Sequence, residues 1–167
     1  MSAAVAFLLG SDSDFPAVEK GIALLRRLGV EAEVEVSSAH RTPERTLELV
    51  RRFEKSGAGV IIAAAGGAAH LAGVVASHTV LPVLGVPMAS ALSGLDSLLA
   101  MVQMPAGVPV AVFGIGEPGA VNAALFAAEL LAAAEPGLRE KLLAHRAEQR
   151  ESVEAKGRRL KQKLEKG

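Results

Sequence analysis

One pattern constrains this chain of 167 residues more than any other: short apolar runs alternate with segments of helical periodicity, five times over. Ala4 to Leu9 is a continuous apolar run bounded by Gly10, as in a strand buried on both faces. Pro16 to Leu28 carries Val18, Ile22, Leu25 and Leu28 at helical spacing, and Gly29 stands where a C′ residue belongs. Glu31 to Val36 alternates Glu with apolar residues, as in a strand nearer a sheet edge. Thr42-Pro43 reads as the N-cap and first residue of a helix to Lys55, closed by Gly57. Val60 to Ala65 is another buried strand, followed by Gly66-Gly67 and a short helical stretch to about His78. Val80 to Val86, interrupted by Pro82, and Val108 to Phe113 complete the strands. Helices are expected over Ser93 to Val102, Ala120 to Ala134 and Leu138 to Leu164. Such alternation implies an α/β fold with a parallel sheet covered by helices on both faces.

The length suits one domain, with 1–136 as the αβα unit and 137–167 as its helical extension. Lys plus Arg and Asp plus Glu both number 18, so neither a nucleic-acid footprint nor a polybasic membrane surface is indicated. The absence of cysteine excludes disulfides, thiolate metal sites and a cysteine nucleophile. Met1 to Gly10 has no positive n-region and is followed by Asp12 and Asp14, so it reads as a first strand rather than a signal peptide. No apolar run approaches the ~20 residues of a membrane span. A cytoplasmic enzyme or binding protein is the expectation.

Open parallel sheets bind ligands outside the carboxyl ends of their strands. There the chain places Gly10-Ser11-Asp12-Ser13-Asp14, Ser37 to Pro43, Gly66 to His70 and Gly114 to Gly119. The Gly10-Ser11 turn offers backbone N–H groups and a hydroxyl to a phosphate. Asp12 and Asp14 suit sugar hydroxyls better; the alternative is that Ser13 or Asp14 merely caps a helix. In the second loop Arg41 can grip a phosphate bidentately and Ser38 can donate to it. His40, next to a helix start, is the group able to exchange protons near neutral pH. Gly66 and Gly67 permit close backbone approach, with His70 facing the same crevice unless it caps or packs. His78 and His145 lack convergent partners and read as structural. No pair of histidines has metal-ligand spacing with a supporting carboxylate, so no metal is expected.

Gly114, Gly116 and Gly119 match G-x-G-x-x-G. The dinucleotide fingerprint, however, belongs to a first βαβ unit with an acidic residue ~20 positions on. Here the strand is the last, so these glycines read as a tight turn that can still line the site. A phosphoacceptor domain needs an Asp closing the third strand, where Ala65-Gly66-Gly67 stands instead. A flavin carrier would supply aromatic walls, yet there are five Phe and neither Trp nor Tyr, and the candidate loops contain only Phe15.

The ordered segments Gly10 to Asp14, Ser38 to Pro43, Ala65 to Leu71, Pro82 to Pro87, Leu92 to Leu98, Val102 to Pro105 and Asn122 to Leu125 closely resemble the bacterial N5-carboxyaminoimidazole ribonucleotide mutases of purine biosynthesis. The likeness runs from about Val5 to about Ala133. It implies a flavodoxin-like, doubly wound three-layer αβα sandwich, assembled as an octamer, that moves a carboxylate from N5 to C4 of an aminoimidazole ribonucleotide without a cofactor. By the same likeness Ser11 and Arg41 hold the nucleotide, Ser38 assists at the phosphate and Asp14 binds ribose hydroxyls. His40 carries the proton, and Gly66, Gly67 and His70 surround the migrating carboxylate. The near relative that carboxylates aminoimidazole ribonucleotide directly, and a non-catalytic nucleotide-binding module, are the alternatives on this fold.

Two further features concern assembly and the tail. Ala120 to Ala134 has only Asn122 and Glu129 as polar side chains, so a helix buried on more than one side, and hence a homo-oligomer, is expected. Lys156, Arg158, Arg159, Lys161, Lys163 and Lys166 face only Glu165 in the last segment. A solvated terminal helix, dispensable for activity, is the expected reading.

Overall fold

The computed structural model describes residues 4–165. Met1 to Ala3, and Lys166 of the basic tail, lie outside the described residues. Five strands, β1 (Val5–Leu9), β2 (Ala32–Val36), β3 (Val60–Ala65), β4 (Val83–Pro87) and β5 (Ala111–Val112), pair in parallel in the order β2-β1-β3-β4-β5. The connections are α1 (Phe15–Leu28), α2 (Pro43–Ser56), α3 (Leu71–Ala76) and α4 (Leu95–Val102); α5 (Glu117–Ala132) and α6 (Pro136–Leu164) follow β5. Because β2 lies on one side of β1 and β3 on the other, the chain reverses its winding at β1, where such sheets open a crevice. The expected α/β sandwich is therefore the observed one.

Side chains of period two send each central strand into two cores. Val5, Phe7 and Leu9 join Ile62 and Ala64 beneath α1, α5 and α6. Ala6 and Leu8 join Ile61, Ala63 and Ala65 on the other face, with Leu49, Val50 and Phe53 of α2, and Leu71 and Val75 of α3. Strand ends are level as a result of register: Leu9 pairs with both Val36 and Ala64, and Ala65 with Pro87. That level edge carries the loops.

Element ends shift for local reasons. β4 begins at Val83, after Pro82, which has no N–H to place in the ladder. β5 shrinks from the expected Val108–Phe113 to two residues, with Pro109 just ahead of it. Thr42 stands at the N-cap of α2 but makes no side-chain cap, because its hydroxyl is turned to the backbone of Ser38. α1 is preceded by a 3-10 turn over Asp12–Asp14, capped by Ser11 rather than by Ser13.

α5 is apolar on more than one side; its alanine face is covered within the chain, while Phe126 and Leu130 stay exposed. Ala120, Ala123, Ala124, Ala127 and Ala128 are fully buried between the sheet, α1 and α6. Gly21 lets α1 approach closely: a Cβ there would lie 2.9 Å from the Ala120 carbonyl oxygen. The small residues of α5 thus pack against its own neighbours, and Phe126 and Leu130 are large apolar side chains of this helix that the chain leaves exposed. α6 anchors through Leu138 and Leu142, and the Lys141 ammonium donates to the Leu28 carbonyl at 2.9 Å. No helix among the described residues is long and apolar enough to cross a membrane.

The Gly114–Gly119 segment is indeed a tight turn. A Cβ on Gly119 would stand 1.6 Å from the Gly114 carbonyl oxygen, an impossible approach. Gly157, by contrast, lies exposed in α6 with open space around it. Gly119→Ala is expected to lower the thermal midpoint by several degrees or to prevent folding, as overpacking costs about 1–3 kcal/mol or more. Gly157→Ala should instead add roughly 0.5–1 kcal/mol through helix propensity. Thermal unfolding of both variants checks the pair.

Candidate active site

Four of the level strand ends surround a cavity of about 480 Å³, within the range of small-ligand sites. Ser11 and Asp14 come from the loop after β1, and Ser38, His40 and Arg41 from the loop after β2. Gly66, Gly67 and His70 follow β3, and Ala89 and Ser90 follow β4. The residues among these named from the sequence line one space, whereas Asp12, named with Asp14, lines an adjoining hollow instead. The Gly114–Gly119 turn does not line the cavity, and His78 and His145 lie elsewhere. His145 Nδ1 instead meets Arg27 at 2.7 Å, between α6 and α1.

The central contact joins two loops. His40 Nε2 lies 2.8 Å from His70 Nδ1, with the rings edge to face at 82°. One nitrogen must carry the hydrogen and the other must accept it, so the two rings share a single proton at this contact. His70 occupies the N-cap position of α3 without capping it, so its side chain is committed to His40. β1 lies between β2 and β3, so this contact bridges over the loop that carries Ser11 and Asp14.

The His40 loop is closed on itself. Thr42 N–H donates to the Ser38 carbonyl at 2.8 Å, and Ser38 N–H donates to Thr42 Oγ1 at 3.1 Å. Ser37, fully turned inward, bonds Thr46 at 2.8 Å and fixes the base of the loop. Ser38 Oγ accepts from the Arg41 backbone N–H at 3.3 Å and from Arg41 Nε at 3.5 Å. Its own hydrogen is thereby left to donate outward. A second hollow of about 420 Å³ continues past Ser11, Ser38 and Arg41 and adds Arg45. Cations and hydroxyls therefore gather at the β2 end of the crevice, where an anion is best held.

Capping and ligand roles overlap in the first loop. Ser11 Oγ accepts from Ser13 N–H at 3.3 Å, while Asp14 Oδ2 accepts from Ser11 N–H at 3.1 Å. Asp14 is half-buried, and burial pushes its carboxyl above the ordinary carboxylate value, partly opposed by the Ser11 N–H. The third loop is the tightest backbone of the site. Gly67 has φ +65° and Ala69, a buried non-glycine, has φ +45°; left-handed alanine is strained, and such strain collects at functional loops. No protein atom lies within 4 Å of a Cβ placed on Gly67, so its bare side faces open space that a ligand can enter.

Ala89 and Ser90 were not among the residues singled out from the sequence. Pro87-Met88-Ala89-Ser90 contains no charge, histidine or glycine, yet it ends a strand and so meets the same positional rule as the other loops. Ser90 is held by Asp96, so the first turn of α4 reaches back to the end of β4.

Comparison with known proteins agrees with this geometry. A chain of Treponema denticola PurE superposes with a TM-score of 0.81, covering 89% of this chain and 92% of that one at 24% identity, which speaks for the fold. N5-carboxyaminoimidazole ribonucleotide mutase of Pyrococcus horikoshii is 49% identical over 159 residues, 95% of this chain and 89% of that protein. The Pseudomonas aeruginosa protein of the same name is 53% identical over 154 residues, 92% and 94% of the two chains. The family model described as AIR carboxylase matches residues 4–152, and with relatives this similar over nearly their whole length the chain belongs to that family.

Proposed function

We propose that this protein is a mutase of purine biosynthesis that moves a carboxylate from N5 to C4 of an aminoimidazole ribonucleotide. The observation that carries the reading is the shared proton between His40 and His70, set in a crevice whose other end gathers Ser38, Arg41 and Arg45. Relatives at 49% and 53% identity bear the mutase name, which favours this reaction over direct carboxylation.

The chemistry needs one proton twice. As the N5–carboxylate bond breaks, its electron pair stays on N5, which takes a proton from His40, and carbon dioxide is released into the pocket. The electron-rich C4 of the ring then attacks that carbon dioxide, forming the new C–C bond. The hydrogen on C4 leaves as a proton and returns to His40, restoring its starting state. His70, bonded to His40, fixes the orientation of that ring and shares its hydrogen. Ser11, Ser38 and Arg41 hold the phosphate end, and Asp14 takes the ribose hydroxyls. Gly66 and Gly67 let backbone approach the carboxylate, so carbon dioxide is retained near C4. No metal, ATP or biotin enters this scheme.

The same reading makes the protein a cytoplasmic homo-oligomer, an octamer by its likeness to the mutases. Support comes from α4, and from Phe126 and Leu130 of α5, which stay exposed. Leu92, Leu95, Leu99 and Val102 recur at helical spacing and remain 46–65% exposed. An apolar stripe of that kind marks a surface that another chain covers.

Outcomes of three kinds test the proposal, the first of them catalytic. His40→Asn should reduce turnover by at least ~10²-fold while binding changes by less than about tenfold, because the loss falls on proton transfer; Arg41→Ala should weaken binding by roughly ten- to a hundredfold. In labelled bicarbonate, without ATP or metal, the N5-carboxylated substrate should turn over with little label in the product. Full incorporation from aminoimidazole ribonucleotide, with no use of the N5-carboxylated substrate, would show direct carboxylation instead.

The second outcome concerns Asp14, whose raised pKa means that the folded state disfavours its ionised form. The stability linked to this group is present below the ordinary value of 3.8 and is lost as pH rises through the folded value. Asp14→Asn, which keeps an oxygen for the Ser11 N–H, should therefore melt higher than the parent near neutral pH, with the gap closing toward about pH 3, while nucleotide binding weakens. The third is assembly: light scattering should give a multiple of the chain mass, and Leu95→Glu with Leu99→Glu should reduce it. A parent protein that is monomeric at micromolar concentration contradicts the assembly.

A further inference from the structure

Ser90 stands at the end of β4 in the active-site cavity, and the hydrogen of its hydroxyl is already committed. Its Oγ lies 2.6 Å from both Oδ1 and Oδ2 of Asp96, a distance typical of a hydroxyl donating to a carboxylate. A carboxylate has no hydrogen to give, so Ser90 is the donor. The Ser90 hydroxyl is the main cause that holds the Asp96 carboxyl below its ordinary value. The fully buried Ser97 hydroxyl lies 3.3 Å from Ser90 Oγ. With the Ser90 hydrogen spent on Asp96, Ser97 must be the donor in that pair. A hydroxyl oxygen has two lone pairs: Ser97 takes one, and the other is left for the cavity. Toward a ligand, Ser90 is an acceptor.

The turn that brings Asp96 back to Ser90 is tightly determined. Ser93 N–H donates to the Ser90 carbonyl at 2.9 Å, and Ser93 and Gly94 both have left-handed backbone, with φ +56° and +88°. A Cβ on Gly94 would lie 2.6 Å from Ile115 Cγ2, so the turn after β5 buttresses this one.

Position along the sheet says which part of a ligand Ser90 meets. In the order β2-β1-β3-β4, Ser90 is three strands from the arginine-bearing end, about 14 Å at ~4.8 Å per strand. A ribonucleotide whose phosphate lies against Arg41 therefore turns its base toward His70 and Ser90.

The geometry points to Ser90 as the residue that accepts a hydrogen bond from the exocyclic nitrogen of the aminoimidazole, with Asp96 as the positioning residue that keeps it an acceptor. This rests on the mutase reading above. That nitrogen bears at least one hydrogen in the N5-carboxylated substrate, in the decarboxylated amine and in the C4-carboxylated product, so the bond survives every stage. It also fixes which face of the ring is presented. Turning the ring half over about its bond to the ribose replaces N5 by a C–H group, and the hydrogen bond is lost.

Calorimetric titration with two ligands tests the assignment: the 4-carboxy-5-aminoimidazole ribonucleotide, and its analogue lacking the 5-amino group. The parent protein should prefer the amino-bearing ligand by about tenfold. Ser90→Ala should abolish the preference by weakening that ligand alone. Asp96→Asn should do the same, because its amide N–H can donate to Ser90 and turn the serine hydrogen into the cavity. Ser90→Thr, which keeps the hydroxyl, should retain the preference, and ribose 5-phosphate should bind all four proteins alike. Equal weakening of both ligands would reduce the pair to a structural role and overturn the assignment, as would an unchanged preference in Ser90→Ala. If the parent binds ribose 5-phosphate but neither imidazole nucleotide, the mutase reading itself falls and takes this assignment with it.

Discussion

The parallel register that ends β1, β2, β3 and β4 at one level determines almost everything about the site. No single loop of this protein has the means to bind and transform a nucleotide. The β1 loop has hydroxyls and a carboxylate, the β2 loop a cation and a histidine, the β3 loop bare backbone and a second histidine, and the β4 loop a serine acceptor. Slippage of one strand by a residue would exchange its two faces and displace its loop by about 3.3 Å. Burial prevents that slippage. Phe7 belongs to one core and Leu8 to the other, and both are fully buried, so neither can change sides without exposing a large apolar group. The hydrophobic effect therefore sets the geometry of the site.

Much of this was legible in the sequence because the rule involved is positional. Continuous apolar runs identify strands buried on both faces, and the polar or glycine-rich residues after them must then gather at one edge. That logic found Ser11, Asp14, Ser38, His40, Arg41, Gly66, Gly67 and His70 together in one cavity. Ser90 does not stand out in that pattern, because Met88-Ala89-Ser90 contains no charge, histidine or glycine. What makes Ser90 interesting is a partner six residues on, Asp96, brought back by a left-handed turn at Ser93 and Gly94. Return contacts of that kind have no period, so pattern reading cannot see them.

Other differences arise where one group can satisfy two demands. Thr42 has the residue type and position of an N-cap, but its hydroxyl closes the His40 loop by bonding Ser38, a local competition between side chain and backbone. α5 is a subtler case. Its alanines read as a surface for another copy, whereas Gly21 and the alanines together let α1 pack against it within the chain. Composition records how closely a helix can be approached and leaves open which helix approaches it. The exposed leucines of α4, with Phe126 and Leu130 of α5, carry the argument for a partner because they remain uncovered after the fold is complete.

The two histidines bring the economy of the proposed reaction down to one contact. A lone imidazole that delivers a proton must rotate or exchange with solvent if its hydrogen points elsewhere, and each such event gives carbon dioxide time to escape. His70 removes that freedom. At 2.8 Å, with the rings edge to face, the His40 nitrogen is directed along one line. The proton has a defined partner in both protonation states of the pair. The two loops that supply these rings stand on either side of β1, so orientation of the pair depends on the sheet rather than on either loop alone. In the proposed reaction, proton position therefore depends on strand register: a slip in the sheet would separate the two rings.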